Sequence, residues 1–236
     1  MKKALKITLI VVAVLIALFT GIIAYAVYEQ LKMESKLDTI VNNLANEEKI
    51  NMTIETTGDC AKVERLIKTN YQDFYKLVDK VINEYGNPII SNSLSADNYV
   101  KDGPEFINTR KELNHLKIKR QELNEQMLEI VSEEAVRDNI ERYQLDDYYS
   151  EIYREYVYSL KLIIEDVIKE DRSFNESIDV VIEILDFLQQ EKDHWQVEGE
   201  NIIFDEQSLL DKYNWLISKI CLDCDTNENK DGPSSL

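Results

Sequence analysis

The sequence predicts an all-α protein: an N-terminal transmembrane helix, then an antiparallel helical bundle with one small β-hairpin near the C-terminus. Three observations predict it. Ile7–Val27 is a run of 21 residues without a charge. Only 6 Gly and 3 Pro punctuate 236 residues, against 26 Glu, so little interrupts a helix. Downstream, apolar residues recur at steps of three and four, except in one short stretch at 195–204.

The first run is long enough to cross a bilayer. A helix of that length spans about 31 Å, close to a hydrocarbon core of roughly 30 Å. Thirteen of its residues are Ile, Leu, Val or Phe. At about −0.3 to −0.6 kcal/mol each they contribute roughly −4 to −8 kcal/mol to insertion. Lys2, Lys3 and Lys6 precede the run and Glu29 follows it. The positive-inside rule then makes 1–6 a cytoplasmic stub, 7–28 a single transmembrane pass and 29–236 extracytoplasmic, with the cell-membrane bilayer as first partner. Ala24-Tyr25-Ala26 offers a competing reading, because cleavage after Ala26 would release a secreted protein. The apolar stretch before that site, Ile7–Ile23, is 17 residues. A signal peptide uses about 7–15, so the retained anchor is favoured. Ala13, Ala17 and Gly21 form a stripe of small side chains, through which two membrane helices can pair as a homodimer.

Charge excludes one partner class. Three of the 27 Lys and Arg precede residue 29 and none of the 45 acids does, so the part beyond carries 24 basic against 45 acidic residues, a balance of −21. Such a surface repels phosphate backbones, so no nucleic-acid partner is expected.

The remaining elements follow in order. Residues 29–58 are a polar stalk, helical to about residue 50, with Leu31, Leu37, Ile40, Val41 and Leu44 as its sparse apolar side. Its β-branched end, 51–58, breaks the helix. An extracytoplasmic helical domain is predicted over 59–224. Asp59 caps a helix at 60–85, closed by Gly86 and Pro88. Residues 87–104 are rich in Asn, Ser and Asp and read as a loop. A helix at 105–132 follows, with Leu113, Leu116, Arg120, Leu123, Met127 and Ile130 as a coiled-coil-like seam into which Arg120 intrudes. Its length suits one arm of an antiparallel hairpin. A third helix covers 133–170, with Leu145, Tyr149, Ile152, Tyr156, Leu160 and Ile164 on one face. Six of the 13 Tyr fall between 143 and 158, where rings pack while hydroxyls stay wet. Ser173 and Asn175 offer caps for a fourth helix over 175–194. WQVEGENIIF, 195–204, reads as a hairpin anchored by Trp195 and Phe204. Asp205 caps a last helix, 206–222, and 225–236 read as a disordered tail.

Two constellations bear on chemistry. Both histidines end an E-x-x-H, Glu112/His115 and Glu191/His194. On a helix such pairs share a face, and two of them with Glu64 or Glu84 and Glu141, Glu151 or Glu155 would make a di-iron-like carboxylate centre. Neither pair falls on the apolar seam, so surface histidines are the simpler expectation. Cys221-Leu222-Asp223-Cys224 is a C-x-x-C at a helix end among acids, which raises thiol pKa values and disfavours redox catalysis. Cys60 with Cys221 or Cys224 is the expected structural disulfide, which leaves one cysteine over. Asn51-Met52-Thr53 and Asn175-Glu176-Ser177 match the glycosylation sequon. No nucleophile elbow or phosphate loop is present, and no cofactor is expected. The chain therefore reads as a membrane-anchored, non-enzymatic interaction or scaffold module of the cell envelope with an unknown protein partner. The alternatives are a metal-binding bundle or a secreted helical protein.

Overall fold

The computed structural model describes residues 27–41, 43–44, 50–83, 85 and 88–222. The predicted membrane span, apart from its last two residues, lies outside them, with Ala13, Ala17, Gly21 and the Ala24–Ala26 site. So do Glu84, Gly86, Cys224 and the tail. Among the described residues no helix is long and apolar enough to cross a membrane.

The protein is mostly helical, with one antiparallel hairpin. Helix α1 covers 27–41, with 43 and 44 also helical. Then come α2 (Gly58–Asn83), α3 (Pro88–Ser93), α4 (Ala96–Asp102), α5 (Ile107–Ile130), α6 (Glu133–Tyr143), α7 (Asp147–Gln190), β1 (Trp195–Glu198), β2 (Asn201–Phe204) and α8 (Gln207–Leu222). They form two compact units. Of the described residues, the first holds those up to Asp73 with Glu133–Tyr158; the second holds those of Phe74–Ser132 and those from Ser159 onward.

In the first unit α1 is more than a stalk. Leu37, Ile40 and Leu44 are buried, as are Cys60, Val63, Leu66 and Ile67 of α2. On α7, Tyr153 is fully buried and its hydroxyl accepts from Asn70 Nδ2 (2.8 Å) and Asn139 Nδ2 (3.0 Å). Tyr156 donates to the Ile67 carbonyl at 3.2 Å. Tyr153 and Tyr156 are thus core packing with satisfied hydroxyls, whereas Tyr148 and Tyr158 of the same stretch are exposed. Burial pushes the Tyr153 and Tyr156 phenols above their ordinary value.

In the second unit, α5 buries Thr109, Leu113, Leu116, Arg120, Leu123 and Met127, at alternating steps of four and three. The predicted seam is therefore the buried one from Leu113 to Met127, while Ile130 is half-buried. Its partner is α7. Arg110 pairs with Asp186, Lys117 with Asp179 and Arg120 with Asp171, so numbers fall along one helix as they rise along the other. The two helices are antiparallel. Helix α8 also runs against α7, with Lys212 over Phe187 and Lys219 paired to Glu183. The core gathers Phe106, Leu113, Leu116, Ile178, Val181, Leu185, Leu188 and Leu216.

Five expectations need correction. Residues 88–102 are two short helices, because their Ser and Asp side chains serve as caps: the Ser95 hydroxyl accepts from Asn98 N. Helix α5 starts after Phe106, which makes no side-chain cap and adopts φ 53°. Asp102 supplies the cap instead, accepting from Thr109 N (2.7 Å) and Asn108 N (3.2 Å). The predicted helix 133–170 breaks early, where Gln144 takes the left-handed conformation at φ 50° and Asp146 accepts from Tyr149 N at 2.9 Å. No break follows at 171–174. Ser173 and Asn175 sit inside α7, whose 44 residues hold neither Gly nor Pro. The Asn175 amide donates to Asp171 (3.1 Å) rather than capping a helix. Asp59 likewise lies in the first turn of α2 and pairs with Lys62 at 2.7 Å.

The hairpin stands as predicted. Trp195 pairs with Phe204 and Glu198 with Asn201 across the strands, with Gly199 at φ 64° in the turn. Trp195 Nε1 donates to the Leu188 carbonyl at 2.7 Å and so occupies one of the carbonyls that the end of α7 leaves open. The Phe204 ring centroid lies 5.5 Å from Tyr213 and 6.0 Å from Phe187.

Candidate functional site

The two E-x-x-H pairs do not build a centre. Glu112 and His115 are exposed on α5, outside its buried seam. Glu191 lies beyond the last residue of α7, so the second pair is not on a helix at all. His194 N bonds back to the Glu191 carbonyl in a turn (2.9 Å). Among the described residues no three His, Cys, Asp or Glu side chains are placed to hold a metal ion. Glu64 is committed elsewhere, as described below.

His194 has a different partner. It precedes β1 and Asp205 follows β2, so the two extend the strand pairing by one step. Asp205 N bonds the His194 carbonyl at 3.1 Å, and His194 Nδ1 lies 3.0 Å from an Asp205 carboxylate oxygen. Asp205 is thus a hairpin clasp rather than the predicted cap of α8. That hydrogen bond and charge raise the His194 pKa above its ordinary value. The pair borders a shallow pocket of about 260 Å³ with Trp195, Gln196, Ile203 and Phe204. Its imidazole is oriented as in a carboxylate–histidine dyad, and Asp193 adds a second carboxylate to the pocket's lining.

Cys60 is a buried thiol that forms no disulfide among the described residues. Its Sγ donates to the Tyr149 hydroxyl at 3.5 Å, and burial raises the thiol's pKa, which makes it inert rather than reactive. The Cys221 side chain and all of Cys224 lie outside the described residues.

The polar groups that burial does select are others. In the first unit, Glu64 is wholly buried and Lys68 nearly so. The Glu64 carboxylate accepts from Glu55 N (2.9 Å), Thr56 N (2.8 Å), the Thr56 hydroxyl (2.7 Å) and Lys68 Nζ (2.7 Å). Lys68 also donates to the Thr53 carbonyl at 2.7 Å. Burial alone would raise the Glu64 pKa, but these donors outweigh it and hold the carboxyl below its ordinary value. The cluster fastens the segment 50–57, which is neither helix nor strand, onto α2.

In the second unit, Arg120 occupies a seam position of α5. Its Nε donates to Asp171, and its terminal nitrogen to the Tyr85 carbonyl. The guanidinium also lies 3.8 Å from the Phe174 ring centroid. Asp171 further accepts from Asn124 Nδ2 (2.7 Å) and Asn175 Nδ2. The carbonyl oxygens of both amides are buried with no hydrogen-bond partner among the described residues. A groove of about 340 Å³ runs over this layer, lined by Lys117, Gln121, Leu128, Ile168 and Arg172 among others. Asn175, the acceptor of the second sequon, is thereby half-buried and engaged.

The sequence signalled both clusters faintly. Lys68 stands four residues after Glu64, the ion-pair spacing of a helix. Arg120 broke an apolar seam, which demands a buried acceptor. No family model, no curated protein and no solved structure matches the chain.

Proposed function

We propose that the protein is a single-pass membrane protein of the cell envelope whose part beyond residue 29 is an extracytoplasmic, non-enzymatic helical interaction module. The charge-free run Ile7–Val27, with its three preceding lysines and following Glu29, carries the reading. Its support on the module side is the way the polar groups are spent. Arg120 and Asp171, Glu64 and Lys68, and His194 and Asp205 are engaged with one another and hold segments in place. The balance of −21 beyond residue 28 suits a basic protein partner better than an anionic one.

The test is carbonate extraction of membranes from cells making the full chain, with protease shaving from outside and intact-mass measurement. The chain should stay in the pellet, keep its N-terminus and be cut beyond residue 29. A soluble chain beginning at Val27 overturns the anchor in favour of secretion. Protection of the part beyond residue 29 overturns the orientation.

A further inference from the structure

The first turns of α1 carry an exposed apolar stripe at the point where the charge-free run ends. Val27 is 50%, Tyr28 62% and Leu31 60% exposed. At 100° per residue these three share one face about 100° wide. The opposite face is the one that carries Leu37, Ile40 and Leu44 into the first unit's core, where Leu37 is 2% exposed. The stripe is therefore not waiting for this unit's own core. Farther along, the same outer face carries Ser35 and Asp38, so its apolar character stops after Leu31.

We propose that this stripe lies in the lipid headgroup layer and that its partner is the bilayer surface. The proposal rests on the anchor reading above. Distance supports it. A bilayer of about 40–45 Å with a core of about 30 Å leaves roughly 5–8 Å of headgroup layer on each side. From Val27 to Leu31 a helix rises about 6 Å, and to Ser35 about 12 Å. The stripe thus ends where the headgroup layer ends, and polar side chains begin where water does. Tyr28 has the apolar ring and polar tip that favour this depth. Charge supports it too: near this level Lys32 and Glu29 pair at 3.6 Å, and Gln30 bonds Glu34 at 3.0 Å, so the rest of the helix surface is polar without net charge from that pair. By the same rise, Leu37 lies about 15 Å beyond Val27, which sets the first unit's core close above the membrane. The acidic surface favours zwitterionic over anionic headgroups.

The test uses the full chain reconstituted in phosphatidylcholine vesicles, with and without phosphatidylcholine brominated near the headgroup end of its acyl chains. Tyr28→Trp, Leu31→Trp and Ser35→Trp are each read as the difference from wild type, which supplies the signal of Trp195 and Trp215. The added emission at 28 and 31 should be blue-shifted and largely lost with brominated lipid, and that at 35 should be neither. Unquenched emission at 28 and 31, from a chain that still resists carbonate extraction, overturns the proposal and leaves the anchor standing. If that emission is also blue-shifted, a second copy covers the stripe instead. A chain that does not stay with the vesicles overturns the anchor and the proposal together.

Discussion

Among the described residues each unit buries one ion pair, and the two pairs do different work. Glu64 and Lys68 are four residues apart on one helix, and their combined hydrogen bonds reach the backbone of 53–56. Arg120 and Asp171 are 51 residues apart on two antiparallel helices, and Arg120 also reaches the Tyr85 carbonyl. The first pair fastens a segment that has no regular structure. The second sets the register between helices whose apolar seams alone would tolerate a slip of one heptad. A local pair forms with the helix that carries it, whereas a distant pair forms only once the helices have docked.

The largest expected effect comes from breaking the distant pair. Asp171→Ala strips the acceptor from Arg120 and from the amides of Asn124 and Asn175. Removing one partner of a buried pair costs about 3–5 kcal/mol, and two stranded amides take the loss to the top of that range or beyond. Denaturant unfolding measures it. A loss under about 1 kcal/mol would mean that this layer does not set the register.

The local pair should cost less and report in a different variable. Glu64→Gln keeps the shape but leaves the buried Lys68 unpaired, a loss of about 3 kcal/mol. Because the folded-state pKa of Glu64 lies below its unfolded value, the unfolded chain binds the extra proton first as pH falls. Its contribution is therefore present above the ordinary carboxylate value and is lost as pH drops through the folded-state value. Glu64→Gln should shallow the acid limb of a stability–pH curve, and an unchanged limb would assign that limb to other carboxylates.

How much of this was legible divides along the same line. Local signals read well: the seam of α5 and the hairpin with its Trp195 and Phe204 anchors. Each is written in residues a few positions apart. The break at Gln144 was not legible, since glutamine has no preference for the left-handed conformation that the structure imposes there. Nor was the partner of Arg120, because nothing in spacing distinguishes Asp171 from the other acids of α7. The E-x-x-H pairs show the converse: a pattern correct in spacing that helix ends and exposure leave unassembled. The segment 88–102 was misread because capping residues looked the same whether they flanked helices or filled a loop.

A tighter spot in the second unit tests packing rather than charge. An added Cβ at Gly103 would collide with the Tyr99 carbonyl and meet the Phe106 ring at 3.2 Å. Phe106 is fully buried with a left-handed backbone, so neither neighbour gives way without cost. Gly103→Ala should cost about 2 kcal/mol, and a silent substitution would show that the turn relaxes freely.

The smallest effect belongs to the hairpin clasp, which is exposed and solvent-screened. His194 gains a proton more readily in the folded chain because Asp205 holds its Nδ1. Its stabilising share is full below the unfolded histidine value and is lost as pH rises through the folded-state value, the opposite sense to Glu64. Asp205→Asn keeps a hydrogen-bonding group but removes the charge. The His194 ring proton, followed by NMR through pH, should then titrate at a lower midpoint than in the wild type, with little change in stability. An unmoved midpoint would mean that the hairpin ends are held by the His194–Asp205 backbone bond and the Trp195–Phe204 pair alone. In that case both units would owe their ionisable structure to the two buried pairs.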